Sequence, residues 1–410
     1  MAVDALLSAG QSLAAACDDV REATDTDAVD GVHPRFSARP GSTAEAAGVL
    51  RAAAEHELAV VTRGAGTKLT WGTPPERADL VLDLTRMDAV LDHAAGDLVA
   101  VAQAGCPIES LQRTLASAGQ RLAIDETLPG TTLGGGIATN SSGPRRMLNG
   151  TFRDLMIGTT VVRADGVIAK SGGRVVKNVA GYDLGKLMTG SFGTLGVVVE
   201  AVFRLHPLPA DVSVLVAQAR DTGEVAAMVR AVLHSEIVAT AIEVDWAVTG
   251  GGEIGVLLEG TVDGVAARTT TARALLAGAG APDIQVADQP PAWWGRYPTG
   301  TLLKLTCALS AVDHLLREAA RLGVSVRGSA GSGVLYGGLP ADADVPDTVT
   351  ALRGVCVAAG GSLVVLDAPT AVKSTVDTWG PVAALELMRA VKQQFDPHRR
   401  LSPGRFVGGI

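Results

Sequence analysis

The chain has 410 residues, of which 47% are hydrophobic and 19% are charged, so it can bury a substantial core and is not disordered. Its net charge is −8, and aromatic residues make up only 3%. These values argue against a nucleic-acid coat, an anionic-membrane binder and a base-stacking platform. The sequence has no run of 18 uncharged apolar residues, so we expect no transmembrane helix.

The four cysteines, Cys17, Cys106, Cys307 and Cys356, are far apart, and the sequence has no C-x-x-C pair. This spacing argues against a disulfide scaffold or a zinc ribbon and favours a reducing compartment. The first basic residue is Arg21, so the positively charged region of a signal peptide is missing. We expect an unprocessed, cytoplasmic chain that reaches the inner membrane only through partners.

The chain begins with a helical lead-in over residues 1–36, which ends in an acidic, turn-rich stretch. Ser42 and Glu45 have the spacing of a capping box and predict the start of a helix. The other elements predicted before residue 209 are strands over 58–61, 80–84, 98–103 and 197–205, a helix with Pro107 at its first position, and a hairpin of 156–163 and 167–170.

Prolines at positions 207 and 209 mark a boundary, after which strands and helices alternate in two similar passes. Strands are predicted over 211–218, 237–246, 253–259, 301–308, 324–328, 333–338 and 362–366, and helices over 223–234, 262–278, 311–322 and 346–359. Each pass is a split β-α-β pattern, which predicts an antiparallel sheet with helices on one face. A last helix is predicted over 382–394.

The first of three glycine-rich segments, residues 63–72, follows a strand. Gly64 and Gly66 supply positive φ angles, so that successive N–H groups can surround a diphosphate. The segment is not a dinucleotide-binding fingerprint, because Leu69 stands at the third glycine position. A plain turn between strands is the alternative interpretation.

The second segment, residues 130–143, has three adjacent glycines at 134–136, which let a ligand approach the main chain closely. Its threonine, serine and asparagine side chains add hydrogen-bond donors. A flexible linker is the alternative, but a linker does not usually carry Leu133, Ile137 and Ala138 between its glycines.

The third segment spans residues 177–196. A phosphate-binding P-loop is excluded, because Gly181 and Gly185 enclose three residues rather than four. A serine-hydrolase elbow is excluded, because Thr189 precedes Ser191 by two positions. Three such segments without a triad or metal cluster indicate an extended nucleotide cofactor held largely by the backbone.

The order of these motifs, together with the 156–170 hairpin, resembles the FAD-binding domain of the vanillyl-alcohol oxidase (PCMH-type) flavoproteins. Residues 142–146 and 401–405 are most similar to the FAD-binding E subunit of bacterial glycolate oxidase. The resemblance implies an α+β fold: a PCMH-type FAD-binding domain of two α+β subdomains, and a second α/β-sandwich cap domain with a duplicated, ferredoxin-like split βαβ. The corresponding segments are 1–36 (lead-in), 37–208 (FAD-binding domain), 209–380 (cap or substrate-type domain) and 381–410 (a tail returning to the FAD domain).

The resemblance also implies roles for individual residues. Residues of the first segment would hold the pyrophosphate, and residues of the second would line the adenosine diphosphate and the flavin. Residues after position 192 would pack at the adenosine end, and Arg405 would approach the flavin rim. The implied cofactor-binding residues are Arg63, Gly64, Ala65, Gly66, Thr67, Lys68, Pro129, Gly130, Thr131, Thr132, Gly135, Gly136, Ala138, Thr139, Ser141, Gly193, Thr194, Gly196, Val197 and Arg405.

Two departures from the family pattern alter the expected chemistry. Thr67 and Lys68 stand where many members have a histidine that links the flavin covalently, so we expect non-covalent FAD. Ser329 and Tyr336 occupy the two histidine positions of the metal-binding stretch of hydroxy-acid-oxidising relatives. Since neither side chain is a good substitute for imidazole, we expect no metal, and no catalytic residue is assigned.

The expected function is that of an FAD-binding oxidoreductase subunit of a glycolate oxidase-like dehydrogenase. It would act on a small 2-hydroxy acid and pass electrons to an iron–sulfur partner, in a hetero-oligomer with a catalytic hydroxy-acid flavoprotein. The alternatives are a non-catalytic flavin-binding assembly subunit and a standalone alcohol or sugar oxidase.

Two further groups of residues are candidates. Arg145 and Arg146 could bind a carboxylate or a flavin phosphate, with solvated surface arginines as the alternative. The aromatic segment 293–297 could form an interface or a lid, with ordinary packing as the alternative.

Overall fold

The computed structural model describes residues 2–174 and 181–410, with side chains from residue 7 onward. The chain forms two compact units. The first unit contains Met1–Ser141, Thr151–Pro207 and Pro381–Ile410, and the second contains Ser142–Gly150 and Leu208–Gly380. Residues 142–150 thus belong to the second unit, whereas the sequence analysis assigned them to the first.

Helices in the described chain are α1 (Ala2–Ala16), α2 (Thr43–Glu55), α3 (Ile108–Ala116), α4 (Leu133–Thr139), α5 (Arg146–Asn149), α6 (Phe152–Leu155), α7 (Leu184–Met188), α8 (Thr222–Leu233), α9 (Val262–Gly278), α10 (Val312–Arg321), α11 (Val345–Ala358), α12 (Thr370–Lys373) and α13 (Leu385–Phe395). No helix of the described ranges is long and apolar enough to cross a bilayer.

Strands in the described chain are β1 (Val20–Glu22), β2 (Phe36–Ala38), β3 (Val60–Arg63), β4 (Leu80–Asp83), β5 (Val90–Ala94), β6 (Val99–Gln103), β7 (Gln120–Arg121), β8 (Met156–Val162), β9 (Ile168–Gly172), β10 (Val197–Arg204), β11 (His206–Pro207), β12 (Asp211–Ala219), β13 (Ala241–Trp246), β14 (Gly252–Gly260), β15 (Ile284–Ala287), β16 (Thr301–Thr306), β17 (Ser325–Ser329), β18 (Val334–Leu339) and β19 (Leu363–Asp367).

The first unit is built on two main sheets. One has the order β1-β2-β4-β3, in which β4 runs parallel to β2 and β3. The other has the order β5-β6-β10-β8-β9 and is antiparallel throughout. A common hydrophobic core joins both sheets to their helices, and Leu50, Leu80, Leu111, Phe152 and Phe203 are buried in it.

Two helix starts differ in detail from the predictions. The Ser42 hydroxyl caps α2 by accepting a bond from the Glu45 N–H at 3.2 Å, but the Glu45 carboxylate returns to the N–H of Gly41 rather than to Ser42. Pro107 is the residue before α3, not its first residue. Its fixed φ of −60° suits both positions, which is why the sequence alone did not distinguish them.

The second unit contains one antiparallel sheet with the order β15-β12-β14-β13-β17-β18-β16-β19. The first pass, β12–α8–β13–β14–α9–β15, and the second, β16–α10–β17–β18–α11–β19, therefore place their strands in mirrored order. The repeated split βαβ is as predicted, except that β15 was missed. This edge strand is exposed at most positions, so it lacks the alternation of buried residues that indicates a strand.

The two faces of this sheet differ. Leu303 and Leu305 point into a core shared with α8–α11, whereas on the opposite face Val214, Ala241 and Leu257 form a separate small apolar cluster against Trp294. Trp293 and Trp294 pack on β14, where Trp293 Nε1 donates to Glu253 at 2.7 Å. A Cβ at Gly255 would lie 2.4 Å from the Trp294 ring, so a glycine is needed there. These contacts favour ordinary packing for the aromatic segment.

The C-terminal tail is fixed within the first unit by a buried ion pair on α13. Lys392 Nζ donates to Asp396 at 2.8 Å and to the carbonyl oxygens of Thr194 at 2.7 Å and Leu401 at 3.0 Å. The tail then pairs with β3, because Val60 donates to the Arg400 carbonyl at 2.7 Å. One ammonium group therefore joins the tail to the segment before β10.

We expect Lys392→Met to lower the free energy of unfolding by about 3 kcal/mol, because it leaves Asp396 buried without its cation. Chemical denaturation measures this loss. Arg389→Met on the same helix is the control, because it removes only an exposed pair with Glu386 and should have a much smaller effect. Equal effects of the two substitutions would contradict the structural role of Lys392.

Candidate functional site

Three chain segments of the first unit surround an elongated cleft. It consists of two adjoining lobes, which enclose about 490 Å³ and 510 Å³ when open solvent is included. They share Thr62, Gly64, Thr132, Gly135, Ala138 and Phe192. Because the lobes share one wall, the cleft has the extended form that a dinucleotide needs.

Most of the residues predicted from the sequence line this cleft. They are Arg63, Gly64, Ala65, Gly66, Thr67, Lys68, Thr132, Gly135, Ala138, Thr139, Gly193, Gly196, Val197 and Arg405. The segments that are far apart in sequence therefore meet at one place, as the backbone-cradle hypothesis requires.

Other predicted residues do not line the cleft: Pro129, Gly130, Thr131, Gly136, Ser141 and Thr194. Gly136 faces the core, where a Cβ would lie 2.6 Å from the Phe152 ring. The Thr194 hydroxyl is fully buried and donates to the Ser191 carbonyl at 2.7 Å. Gly136 and Thr194 therefore support the walls from behind, whereas Pro129 and Gly130 are exposed. The sequence does not show this distinction, because it depends on the direction of each Cβ.

Sequence reasoning missed several residues that line the cleft, including Thr62, Leu69 and Phe192. Phe192 has a positive φ of 55°, and its ring stacks on that of Phe406 at 5.7 Å between centroids. Its N–H donates to the Ala138 carbonyl at 2.9 Å, which ties the third segment to α4. The sequence feature that could have indicated Phe192 as a cleft residue is its position as an aromatic residue between Gly190 and Gly193.

Gly64 and Gly66 of the first segment are required for different structural reasons. Gly66 has the expected positive φ of +78°. Gly64 does not, so that part of the expectation was wrong. A Cβ on Gly64 would lie 2.1 Å from Thr132 Oγ1, so close approach of two segments requires this glycine. A Cβ on Gly135 would meet only Thr132 Oγ1 at 3.3 Å, which leaves this position open to a ligand.

Arg63 is already paired within the protein. Its Nη2 lies 2.7 Å from Asp83 and 3.0 Å from Asp27. The hydrogen bond from Arg21, supported by Thr24 and Arg63, holds the pKa of Asp27 well below its usual range. Arg63 therefore contributes shape to the cleft but little net charge.

Lys68 supplies one positive charge at the cleft. Only 8% of the residue is exposed, and Nζ donates to Thr131 Oγ1 at 2.9 Å. No described carboxylate lies within ion-pair distance of this ammonium group, and burial lowers its pKa to about 8, opposed in part by Glu126. A buried ammonium without a counter-ion is suited to an anionic ligand such as a pyrophosphate.

Arg405 reaches the cleft from the tail. It is 4% exposed and donates to the carbonyl oxygens of Leu69 at 2.7 Å and Trp71 at 2.6 Å. Burial lowers the pKa of its guanidinium to about 10. These bonds fix the end of the first glycine-rich segment.

The start of the third segment, with Lys177 and Asn178, lies outside the described residues. Within the described remainder, the Asp183 side chain caps α7 by accepting from the Lys186 N–H at 3.1 Å. This contact gives Asp183 a structural role.

The metal-stretch positions Ser329 and Tyr336 lie in β17 and β18 of the second unit. In the described chain, the one group of three ligating atoms close enough to share a metal belongs to Cys17, Asp18 and Glu45. Burial raises the pKa of the Cys17 thiol, and Arg86 pairs with Asp18 at 2.6 Å. This group is a poor metal site.

Comparison with known proteins identifies the first unit. Residues 34–172 match a family model described as FAD binding domain. These residues form an FAD binding domain. FAD is its cofactor, and the open Gly135 position and the unpaired Lys68 fit such an anionic dinucleotide.

The chain is similar to several curated flavoproteins. It is 36% identical to glycolate oxidase subunit GlcD of Bacillus subtilis over 205 residues, which are 50% of this chain and 44% of that protein. It is 36% identical to glycolate oxidase subunit GlcE of Escherichia coli over 152 residues, 37% of this chain and 43% of that one. The matched region spans less than half the length of either relative.

Solved structures show the same fold. The FAD-binding chain superposes on p-cresol methylhydroxylase with a TM-score of 0.75 at 15% identity, covering 98% of this chain and 96% of that one. Alkyldihydroxyacetonephosphate synthase gives a TM-score of 0.68 at 18% identity, covering 91% and 76%. The predicted α+β, PCMH-type fold class is confirmed.

We expect Gly135→Val to reduce FAD occupancy strongly while the protein stays folded, because its side chain would enter the open cleft. Flavin absorbance per purified chain and thermal denaturation measure the two effects. Gly136→Ala is the matched control, because its Cβ would meet the Phe152 ring and should lower stability instead. Undiminished flavin in Gly135→Val would contradict the cradle.

We expect FAD affinity to fall up to about tenfold between about pH 7 and pH 9. The Lys68 ammonium, whose pKa is about 8, is protonated below that pH and loses its charge above it. Lys68→Met should bind FAD more weakly at neutral pH and lack this dependence. Titration of the apoprotein measures both, with Lys170→Met, an exposed lysine on β9, as control. An unchanged slope in Lys68→Met would exclude Lys68 as the titrating group.

Proposed function

We propose that the chain is the FAD-binding subunit of a glycolate oxidase-like dehydrogenase that oxidises 2-hydroxy acids and passes the electrons to an iron–sulfur partner. The observation that carries this proposal is the elongated cleft with one buried, unpaired ammonium group, Lys68. Such a cleft holds a cofactor mainly through backbone contacts and close approach, and leaves the redox chemistry to the cofactor.

The choice of 2-hydroxy acids rests on the relatives. Besides the glycolate oxidase subunits, the chain is 38% identical over 186 residues to a D-2-hydroxyglutarate dehydrogenase of Xanthomonas citri, covering 45% of this chain and 39% of that protein. The substrates in these names share a hydroxyl group next to a carboxylate. The phrases at 142–146 and 401–405 favour the E-type subunit.

The cleft residues would have different roles in binding the cofactor. Gly64 allows the first segment to approach Thr132, and Gly135 leaves room for the cofactor. Lys68 would balance the pyrophosphate charge, and Arg405 keeps the 63–72 segment in place. FAD, when bound, accepts two electrons from a C–H bond. The residues that line the two lobes include no histidine, cysteine or tyrosine, which supports non-covalent binding.

The positions of the cysteines support placing the iron–sulfur cluster on a separate polypeptide. A cluster is usually held by several thiolates that lie close together. Among the described residues, no three cysteines lie close enough to share a metal ion. Burial also raises the pKa of Cys106 and of Cys307 to about 11, and that of Cys356 to about 12, which disfavours their thiolate forms.

A non-catalytic assembly role is the second candidate. Ser329 and Tyr336 favour it, because they stand where hydroxy-acid-oxidising relatives have histidines. Such a subunit would bind FAD through the same cleft without reducing it.

The decisive experiment adds glycolate, D-lactate or D-2-hydroxyglutarate to the FAD-loaded chain without oxygen and follows the visible flavin absorbance. We expect bleaching by at least one acid, and reoxidation by a dye acceptor faster than by oxygen. The proposal would be contradicted if the bound flavin is not reduced, either in the chain alone or in a complex purified with its partner subunits. That result would favour the non-catalytic assembly role. Bleaching by alcohols or sugars alone would favour the standalone oxidase.

A further inference from the structure

The loop that leads into the second glycine-rich segment places a carboxylate behind the cleft. Glu126 is half-buried, and its Oε1 accepts a hydrogen bond from the Thr131 N–H at 2.9 Å. Thr131 is only 2% exposed, and neither residue lines the two lobes of the cleft. Any effect of Glu126 on a bound cofactor is therefore indirect.

The Thr131 hydroxyl group has a fixed orientation. It donates its single proton to the Leu128 carbonyl oxygen at 2.7 Å, so its lone pairs are left to accept hydrogen bonds. Lys68 Nζ donates to this hydroxyl oxygen at 2.9 Å. Glu126 thus holds the main chain of the same threonine whose side chain holds the lysine.

The Lys68 ammonium group keeps donor capacity for a ligand. It has three N–H bonds, and the structure gives it two neutral acceptors, the hydroxyl oxygens of Thr131 and of Thr67, the latter at 3.3 Å. Nζ also lies 5.7 Å from the centroid of the Trp71 ring. Because the shorter hydrogen bond is the one to Thr131, the position of the ammonium group depends on where that threonine is held.

The charge of Lys68 depends on its surroundings in the same way. Burial lowers its pKa to about 8, and the Glu126 carboxylate opposes this effect. Arg63 and Arg405 line the same lobe, but guanidinium groups keep their charge near pH 8. Of the described residues that line this lobe, Lys68 is the one that titrates there, and Glu126 favours its charged form.

The Glu126 carboxyl group is itself ionised at that pH. Burial raises its pKa, and Glu109 of α3 acts in the same direction. The N–H groups of Thr131 and Gly130 and the Lys68 ammonium act in the opposite direction. Because the carboxyl group is only half-buried and accepts N–H bonds, its charged form prevails at neutral pH.

We propose that Glu126 is a positioning residue for FAD binding, which holds Thr131 and attracts the Lys68 ammonium so that this group stays in place for the cofactor pyrophosphate. The inference rests on the proposed role of Lys68 in the cleft. It goes further, because it makes the strength of cofactor binding depend on a carboxylate that does not line the cleft.

Titration of the apoprotein with FAD between about pH 6 and pH 9.5 tests this role. We expect Glu126→Gln, which keeps an oxygen that can accept from Thr131, to move the midpoint of the affinity decrease to lower pH by about half a unit or more. The reason is that Lys68 loses the carboxylate that favours its protonated form. At about pH 6 Lys68 is protonated in both proteins, so their FAD affinities should agree within about threefold.

Glu109→Gln is the matched control, because it removes the same charge from an exposed carboxylate near this loop. It should leave the midpoint within about 0.2 pH units of that of the unaltered chain. Glu126→Asp keeps the charge on a shorter side chain and should also leave the midpoint nearly in place. An unchanged thermal midpoint shows that each variant is folded.

Three results would overturn the inference. The first is an unchanged pH midpoint in Glu126→Gln, and the second is an equal shift in Glu109→Gln. The third is an affinity loss in Glu126→Gln that is the same at every pH, which would give Glu126 a purely structural role. If Glu126→Gln does not fold, a midpoint that moves in Glu126→Asp despite the retained charge would overturn it instead.

The outcomes also separate this inference from the proposals on which it rests. If Lys68→Met loses the pH dependence while Glu126→Gln keeps its midpoint, only the role of Glu126 is wrong. A Lys68→Met protein that keeps the dependence would overturn the roles of both residues. Because FAD affinity is measured without a hydroxy acid, flavin that no acid reduces would count against the proposed function alone.

Discussion

The first unit depends on the close approach of separate backbone segments around the short helix α4. A Cβ on Gly64 would collide with Thr132 Oγ1, and the N–H of Phe192 donates to the Ala138 carbonyl, so the backbones of these segments lie close to α4. A cleft lined this way presents main-chain groups to a ligand. It is therefore suited to an extended nucleotide whose recognition depends on shape.

The distribution of charge follows from that constraint. Arg63 lines the cleft but is paired with two aspartates, whereas Lys68 is buried without a carboxylate partner in the described structure. A buried cation without a carboxylate partner is costly for the free protein and becomes favourable when an anion binds. Whether a cation is paired therefore indicates a binding position better than the total number of charges does.

The second unit shows how a repeated βαβ pattern forms a single larger sheet. Two split βαβ passes join through β13 and β17 into one continuous sheet. The helices cover one face, and the other face carries both the apolar cluster of Val214, Ala241 and Leu257 and the ion pair of Arg327 with Asp245. Residues 142–150, inserted from the first unit's sequence, contribute Arg145 and Arg146 to this second unit. There Arg145 pairs with Glu259, and Arg146 donates to the Ser142 carbonyl oxygen.

The sequence by itself determined the local features: the alternation and periodicity of the elements, the caps at Ser42 and near Pro107, the duplicated βαβ order and the three glycine-rich segments that indicated FAD. These follow from short-range rules of backbone geometry and side-chain patterning. Only the tertiary structure decided which glycines face the ligand, as Gly135 does and Gly136 does not, and which cations are paired. Those properties depend on residues distant in sequence, such as Phe152 and Asp27, whose contacts with these positions no local pattern contains.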